Sequence, residues 1–528
     1  MATNILSTNV TGPVYEKGVT ATTVEAAVEI SGQNLSFTSN TTSHMSCTYT
    51  KLGQSVVFYE DETDSDEGYA VVATVSAGET ITYGTPVNVS GTATLKGTSC
   101  AYDTVNDKVL TAWAQPGGNH YGSMTVGTIS GTGASATMSF GSHVQTNSGG
   151  GNIPDGGHLS RGMVWVGGIG GDTTNRLVLA MRNDESSTYG RAAVVTISGT
   201  TPTAGTWANF TTAGQDAKDV TMAYVGSGQV VVAYGRIGTS SGLCRVGTIT
   251  GGSTNTIVWS TNEYAYATTH TDPGSTGAAN SIAYDQNAGK FIIAYIDGDV
   301  NVRGRAIVGT VSGTGASASI SFGTEQEFTT GSDAVDAISV VYHEIAQKSL
   351  ISYNPNGSSN LSRKVATISG TNVSFGSDFS DSVVGSNPNS TASTYDTVNK
   401  LFLIFWSKGA GGGEGIASDI IESTLTLDLA TASSFITDLQ SGGGSAIRNI
   451  VINNVNAVAP KTASFQLKVK QGSIPRQFKW SGGTLSTKFK WPSYWKPGVG
   501  QIYRPTVTTT NDAEDVYSFN TYDNGTTW

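Results

Sequence analysis

Apolar runs of four to six residues recur along the chain, each bracketed by polar turns. The strongest are Val56-Val57-Phe58-Tyr59, Val109-Leu110-Thr111-Ala112-Trp113, Val230-Val231-Val232-Ala233-Tyr234, Phe291-Ile292-Ile293-Ala294-Tyr295 and Leu401-Phe402-Leu403-Ile404-Phe405-Trp406. They are rich in β-branched and aromatic residues and too short for helices, so they predict buried strands. Before each run comes a shorter strand ending near an aromatic: Tyr49, Tyr102, Trp165, Tyr224, Tyr284, Tyr342 and Tyr395, spaced 53 to 63 residues apart. After it comes a V-x-T-[IV]-[ST] strand, at 126–131, 194–199, 246–251, 308–313 and 365–370, with a looser copy at 72–77. A fourth strand carries one aromatic: Tyr83, Phe140, Trp207, Trp259, Phe322 and Phe375. Ser and Thr alternate with apolar residues in these last two strands, as in a sheet with one buried and one wet face. Segments 126–141 and 308–323 are nearly identical, which points to duplication.

Seven such units fill residues 26–423, out of phase with the chain. Asn34-Leu35-Ser36-Phe37 copies the fourth strand but precedes the first unit, and the last unit, from Tyr395, has no fourth strand after it. A linear stack gains nothing from this offset. A ring does, because the displaced half completes the last blade and leaves no open sheet array. The predicted fold is therefore all-β: a seven-bladed β-propeller closed by an N-terminal strand. Phe37 is expected in the same blade as Tyr395 and Phe402. An N-terminal arm (1–25) precedes the ring, and a smaller, β-sandwich-like C-terminal domain (424–528) follows it. The units exceed the usual blade period of about 40–50 residues, so the loops are long.

Composition narrows the function. No stretch approaches the length of apolar chain that crosses a bilayer, so no membrane insertion is expected. The opening Met1-Ala2-Thr3-Asn4-Ile5-Leu6 lacks the basic and apolar regions of a secretory signal. The net charge of −11 divides unevenly: residues 424–528 hold ten Lys/Arg and six Asp/Glu, which leaves −15 on the rest. An acidic ring cannot neutralise phosphates, so nucleic acid is not an expected partner. Cys47, Cys100 and Cys244 are too few and too far apart for a disulfide framework. Cys47 and Cys100 occupy equivalent inner-strand positions and read as small core residues.

The repeat stops near Ser423. Beyond it Leu425-Thr426-Leu427-Asp428-Leu429 and Phe465-Gln466-Leu467-Lys468-Val469-Lys470 read as strands, and four of the nine tryptophans are Trp480, Trp491, Trp495 and Trp528. The chain closes with Tyr522-Asp523-Asn524-Gly525-Thr526-Thr527-Trp528, a hairpin signal that also resembles an Asp box. There Asp523 and Gly525 form the turn and Trp528 packs beneath it, a structural staple. The motifs at 425–429, 464–469, 491–498 and 515–528, in that order, resemble a C-terminal module of tailed-bacteriophage virion proteins, found in tail-fibre and appendage proteins of marine and cyanobacterial phages. The resemblance covers about the last hundred residues. It departs where Pro497-Gly498-Val499-Gly500-Gln501-Ile502-Tyr503-Arg504-Pro505 replaces the usual Pro-Gly-Gly-Thr-Ala-Pro. It implies a virion structural protein assembled in the host cytoplasm. Its partners would be other virion proteins, with a tail fibre or adsorption appendage first and a capsid decoration or head-fibre protein as the alternative. Fibres of this kind are commonly homo-oligomers, and a host-surface glycan is a possible ligand.

Catalytic equipment is not legible. The six histidines (His44, His120, His143, His158, His270, His343) lack metal-ligand spacing, and no nucleophile elbow or phosphate loop is present. The acidic run at 60–67 could hold Ca²⁺ but lacks the glycine and distal glutamate of a helix-loop-helix site, so a solvated loop is expected. Asp103, Asp285 and Asp396 each open a turn and are expected to cap it. A sialidase, also a propeller, would need an arginine cluster, a Tyr nucleophile with a Glu partner and several Asp boxes, and it stands as the rival carbohydrate-binding or carbohydrate-cleaving reading. The expectation is no catalytic residue, metal or cofactor, and candidate recognition loops at 60–68, 115–122 and 265–278.

Overall fold

The computed structural model describes most of residues 34–421, apart from several loops, together with the strand Ala27–Ile30 and six strands between 423 and 521. The chain divides into two compact units, one of them Ala26–Ile420 and the other including Ile421–Trp528. The proposed arm at 1–25 and the staple residues Asp523, Gly525 and Trp528 lie outside the described residues.

The described strands between Ala27 and Ile421 form a seven-bladed β-propeller. Each blade is a four-layered antiparallel sheet whose outermost strand is broken in two. In the first blade the strands are Thr42–Tyr49, Gln54–Asp61, Glu67–Val75, and the split pair Ile81–Tyr83 and Val87–Asn88. The first strands of successive blades lie against one another in a closed circle, with Thr42–Tyr49 meeting Thr391–Asp396 of the seventh blade. Hydroxyls clasp this circle from blade to blade. Thr98 Oγ donates to His44 O (2.8 Å), Met45 N donates to Ser390 Oγ (3.0 Å), and Val340 N donates to Ser281 Oγ (3.0 Å).

The seventh blade is closed as the displaced repeat requires. Its strands Thr391–Asp396, Leu401–Ser407 and Gly413–Ile421 are joined by Ala27–Ile30 and Leu35–Thr38, and Leu35 pairs with Gly415. Phe37 thus shares a sheet with Tyr395 and Phe402, but on the opposite face. Its ring meets Tyr59 (5.1 Å) and Tyr83 (5.5 Å) of the first blade. Tyr395 and Phe402 instead meet His343 of the sixth blade at 4.5 and 5.1 Å. The closing strand is therefore also a joint to the next blade.

The cores lie between blades. At the same register position of every second strand stands a large, buried side chain: Tyr59, Trp113, Met181, Tyr234, Tyr295, Tyr353 and Trp406. The fourth-strand aromatics cross onto small residues of the third strand, Gly127 facing Phe140 and Gly247 facing Trp259. In the third blade the expectation fails. Ala204, facing Val195, takes the strand position, and Trp207 falls three residues later, outside the strand. Trp207 instead lies beneath the Arg191 guanidinium, 5.0 Å from the ring centre, a cation–π contact.

Just after the aromatic, a glycine lets the outer strand receive the next blade. A Cβ on Gly323 would stand 1.7 Å from Thr371 O, and one on Gly84 2.1 Å from Ala136 O. Backbone cannot yield as a side-chain tip can. Gly323→Ala is expected to cost about 1–3 kcal/mol by forcing these blades apart. A denaturation midpoint equal to wild type would show that the contact is not tight.

The C-terminal unit has two three-stranded sheets. Ser423–Asp428, Ile447–Asn453 and Gln477–Trp480 are parallel. In the other, Ser434–Asp438 runs parallel to Ala463–Lys470, which pairs antiparallel with Glu514–Thr521. Successive strands alternate between the sheets, the chain path of a sandwich-like domain.

Candidate functional site on the upper face of the ring

Antiparallel strands sort the connections onto two faces. Second-to-third connections and those passing to the next blade share one face, here the upper. First-to-second and third-to-fourth turns share the lower. The upper face holds the longest joins, 17 residues between Gln145 and Met163 and 12 between Ala267 and Asn280. The three loops singled out in the sequence, 60–68, 115–122 and 265–278, all belong to it, although 116–120 and 269–278 lie outside the described residues. The last strand of the ring, Gly413–Ile421, runs to the lower face.

Lower-face turns are built for stability. Asp103 Oδ1 accepts the backbone N–H groups of Val105 and Asn106, both at 3.0 Å. Asp285 and Asp396 repeat the arrangement. In the sixth blade His343 takes this place. Its Nδ1 accepts Ala346 N–H (3.1 Å), so its Nε2 donates to Lys400 O (3.2 Å). Burial lowers its pKa to about 4, and the imidazole is neutral. Spacing rules for metal ligands could not reveal this role; its position straight after Tyr342, where other units carry Asp, was the available signal.

In the first blade both upper-face connections are described, and polar groups gather there on both faces of the sheet. On the face toward the second blade is Glu60, fully buried near the end of its strand. Ser43 Oγ donates to Glu60 Oε2 (2.7 Å), His44 Nε2 lies 3.4 Å from the same oxygen, and Lys96 Nζ pairs with Oε1. Burial pushes the Glu60 carboxyl up to about 7, against the opposing pull of Lys96 and Ser43. A bulge between Ser43 and Ser46 puts His44 in a left-handed conformation (φ 47°). Bulges commonly redirect side chains in this way. The second and fourth blades bulge at the matching place, with Gly97 and Asp219 left-handed.

Beyond Glu60 the chain turns through the hairpin 61–67, beside which Tyr69 lies with Tyr59 on the face toward the seventh blade. The hairpin's tight turn puts Ser65 and Asp66 at φ 59° and 60°, and Glu67 N–H closes on Asp64 O (3.1 Å). This is the twist a two-residue hairpin turn favours. Four of its five carboxylates have a donor, and Glu62 is exposed. Asp61 accepts Asn40 Nδ2 (2.7 Å) and the N–H groups of Thr63 and Asp64. Asp64 accepts the Tyr69 hydroxyl (2.5 Å), Asp66 meets Lys96 (3.2 Å), and Glu67 accepts Asn88 Nδ2 (2.5 Å). The half-buried Tyr69 ring stacks on Tyr59 (6.0 Å, 22°). The Asp64 hydrogen bond, with burial, raises its hydroxyl pKa to about 12, so it remains a donor. The hairpin is thus a hydrogen-bonded platform, and among the described residues no group of His, Cys, Asp or Glu is placed to hold a metal ion.

Tyrosine–carboxylate pairs do occur, unforeseen in the sequence. Tyr295 donates to Glu325 Oε2 (2.5 Å), and Tyr353 donates to Asp378 Oδ1 (2.6 Å). A cation completes each: Arg305 with Glu325 (2.5 Å) and Lys364 with Asp378 (3.0 Å). Each trio stays within one blade at the break of the outer strand, and both tyrosines are buried. They anchor the second strand to the outer one.

No family model matches the chain, and no curated protein matches it. Solved structures similar in fold include Sqt1 from Chaetomium thermophilum (10% identity, TM-score 0.44, covering 74% of this chain and 99% of that one). Others are a Trypanosoma rangeli sialidase in complex with sialic acid (12%, 0.40, 69% and 59%) and the NanB sialidase from Streptococcus pneumoniae (10%, 0.40, 62% and 67%). At such identities no residue role is carried across.

Proposed function

We propose that the protein is a non-enzymatic structural protein of a tailed-bacteriophage virion, a tail fibre or adsorption appendage, whose upper propeller face contacts carbohydrate on the host surface. The observation that carries the carbohydrate contact is the first-blade site. A half-buried aromatic ring sits beside an amide and two carboxylates on the face that also holds the longest loops. Aromatic and convergent polar groups of this kind suit sugar rings and their hydroxyls. The virion assignment is supported by the order of motifs in the last hundred residues.

A carbohydrate-cleaving propeller is the second reading, favoured by the tyrosine–carboxylate pairs; the burial of both tyrosines weighs against it. Incubation of the purified protein with bacterial surface polysaccharides separates the readings. Saturable binding without released sugar is expected. Turnover would overturn the non-enzymatic assignment, and absence of binding would remove the carbohydrate contact. Antibody labelling of intact particles is expected at the tail; labelling of the capsid would favour a decoration or head-fibre protein.

A further inference from the structure

Resting on the reading of the upper face as a carbohydrate contact, we propose that the first-blade site takes uncharged glycans and rejects those bearing carboxylates or phosphates. The hairpin concentrates negative charge: Asp61, Glu62, Asp64, Asp66 and Glu67 lie within seven residues. The donors that satisfy Asp61, Asp64 and Glu67 are an amide, a phenol, a second amide and backbone N–H groups. These are neutral, so they orient the carboxylates without cancelling their charge. The nearby cation, Lys96, is already held between Glu60 and Asp66.

An anionic sugar resting on Tyr69 would sit within one screening length, about 8 Å at physiological salt, of several such charges. An uncharged sugar meets the same groups favourably, its hydroxyls donating to Asp64 and Glu67 while its apolar face lies on the ring. The stack of Tyr69 on Tyr59 fixes that ring in advance, so little side-chain freedom is lost on binding.

The test is calorimetric titration of the full-length protein with two probe sets, oligomers of N-acetylglucosamine or mannose and sialylated or uronate oligosaccharides. At low salt an uncharged probe is expected to bind at least tenfold more tightly than the anionic ones, with the gap narrowing at high salt. Tyr69→Ala should lose the uncharged ligand at least tenfold. The pair Asp64→Asn and Glu67→Gln, on exposed or half-exposed side chains, should relax the discrimination. Anionic probes bound as tightly as uncharged ones, or a Tyr69→Ala protein that binds unchanged, would overturn the inference while leaving the carbohydrate reading standing. Failure of every probe would overturn both.

Discussion

A chain lacking residues 1–39 is expected to lose the cooperative unfolding transition of the ring. The deletion removes Ala27–Ile30 and Leu35–Thr38, which pair with Gly413–Ile421, and so opens the seventh blade to solvent. It also removes the Phe37 ring, buried among Tyr59, Tyr83, Leu403 and Phe405. One substitution isolates the second effect. Phe37→Ala leaves the backbone pairing possible but empties a site between two blades, at a cost of about 3–5 kcal/mol. Equilibrium denaturation followed by tryptophan fluorescence checks both. A truncated protein that unfolds at the wild-type midpoint would mean that the N-terminal strand decorates a ring already closed without it.

The second large effect is in the pH dependence of stability. Glu60 has its folded pKa raised by burial to about 7, from 4.5. Between these values the folded state binds more protons than the unfolded one. The contribution of Glu60 is therefore fully present below pH 4.5 and lost as pH rises through 7, a change of roughly 3 kcal/mol. His343 acts in reverse. Its folded pKa is lowered to about 4 from 6.5, so its contribution is present above pH 6.5 and lost as pH falls through 4, again by roughly 3 kcal/mol. Protonated Nδ1 could no longer accept the Ala346 N–H, which is why this site resists charge.

The two slopes oppose each other across the mildly acidic range. Glu60→Gln should therefore gain stability relative to wild type as pH rises from 4.5 to 7. His343→Gln should lose its disadvantage as pH falls from 6.5 to 4. Parallel stability curves for variant and wild type would show that the group does not titrate as its surroundings demand.

The ring was readable in the chain because its grammar is local. Four strand types differ in apolar pattern, and the displaced copy at 34–37 announces closure without any knowledge of contacts. The face on which Phe37 packs was not readable, since it depends on how adjacent blades pair. Trp207 misled for a related reason: the motif marks an aromatic, whereas the strand position belongs to whichever residue pairs across the sheet, here Ala204 with Val195.

The candidate site was half legible. The acidic run 60–67 stood out, yet it resembled any solvated loop. Its partners Ser43, His44, Asn88 and Lys96 come from other strands, and the left-handed bulge at His44 has no local signature. The tyrosine–carboxylate pairs were hidden because their members lie 25 to 30 residues apart, at a strand break that the apolar pattern does not mark.

The most direct test of the account is hydrogen exchange of the full-length protein with and without a bound bacterial surface polysaccharide. Protection is expected on the upper face, at 62–67 and 89–95, with the lower-face turns 103–107 and 396–400 unchanged. Protection confined to the lower-face turns would contradict the assignment of the upper face as the surface that meets the host.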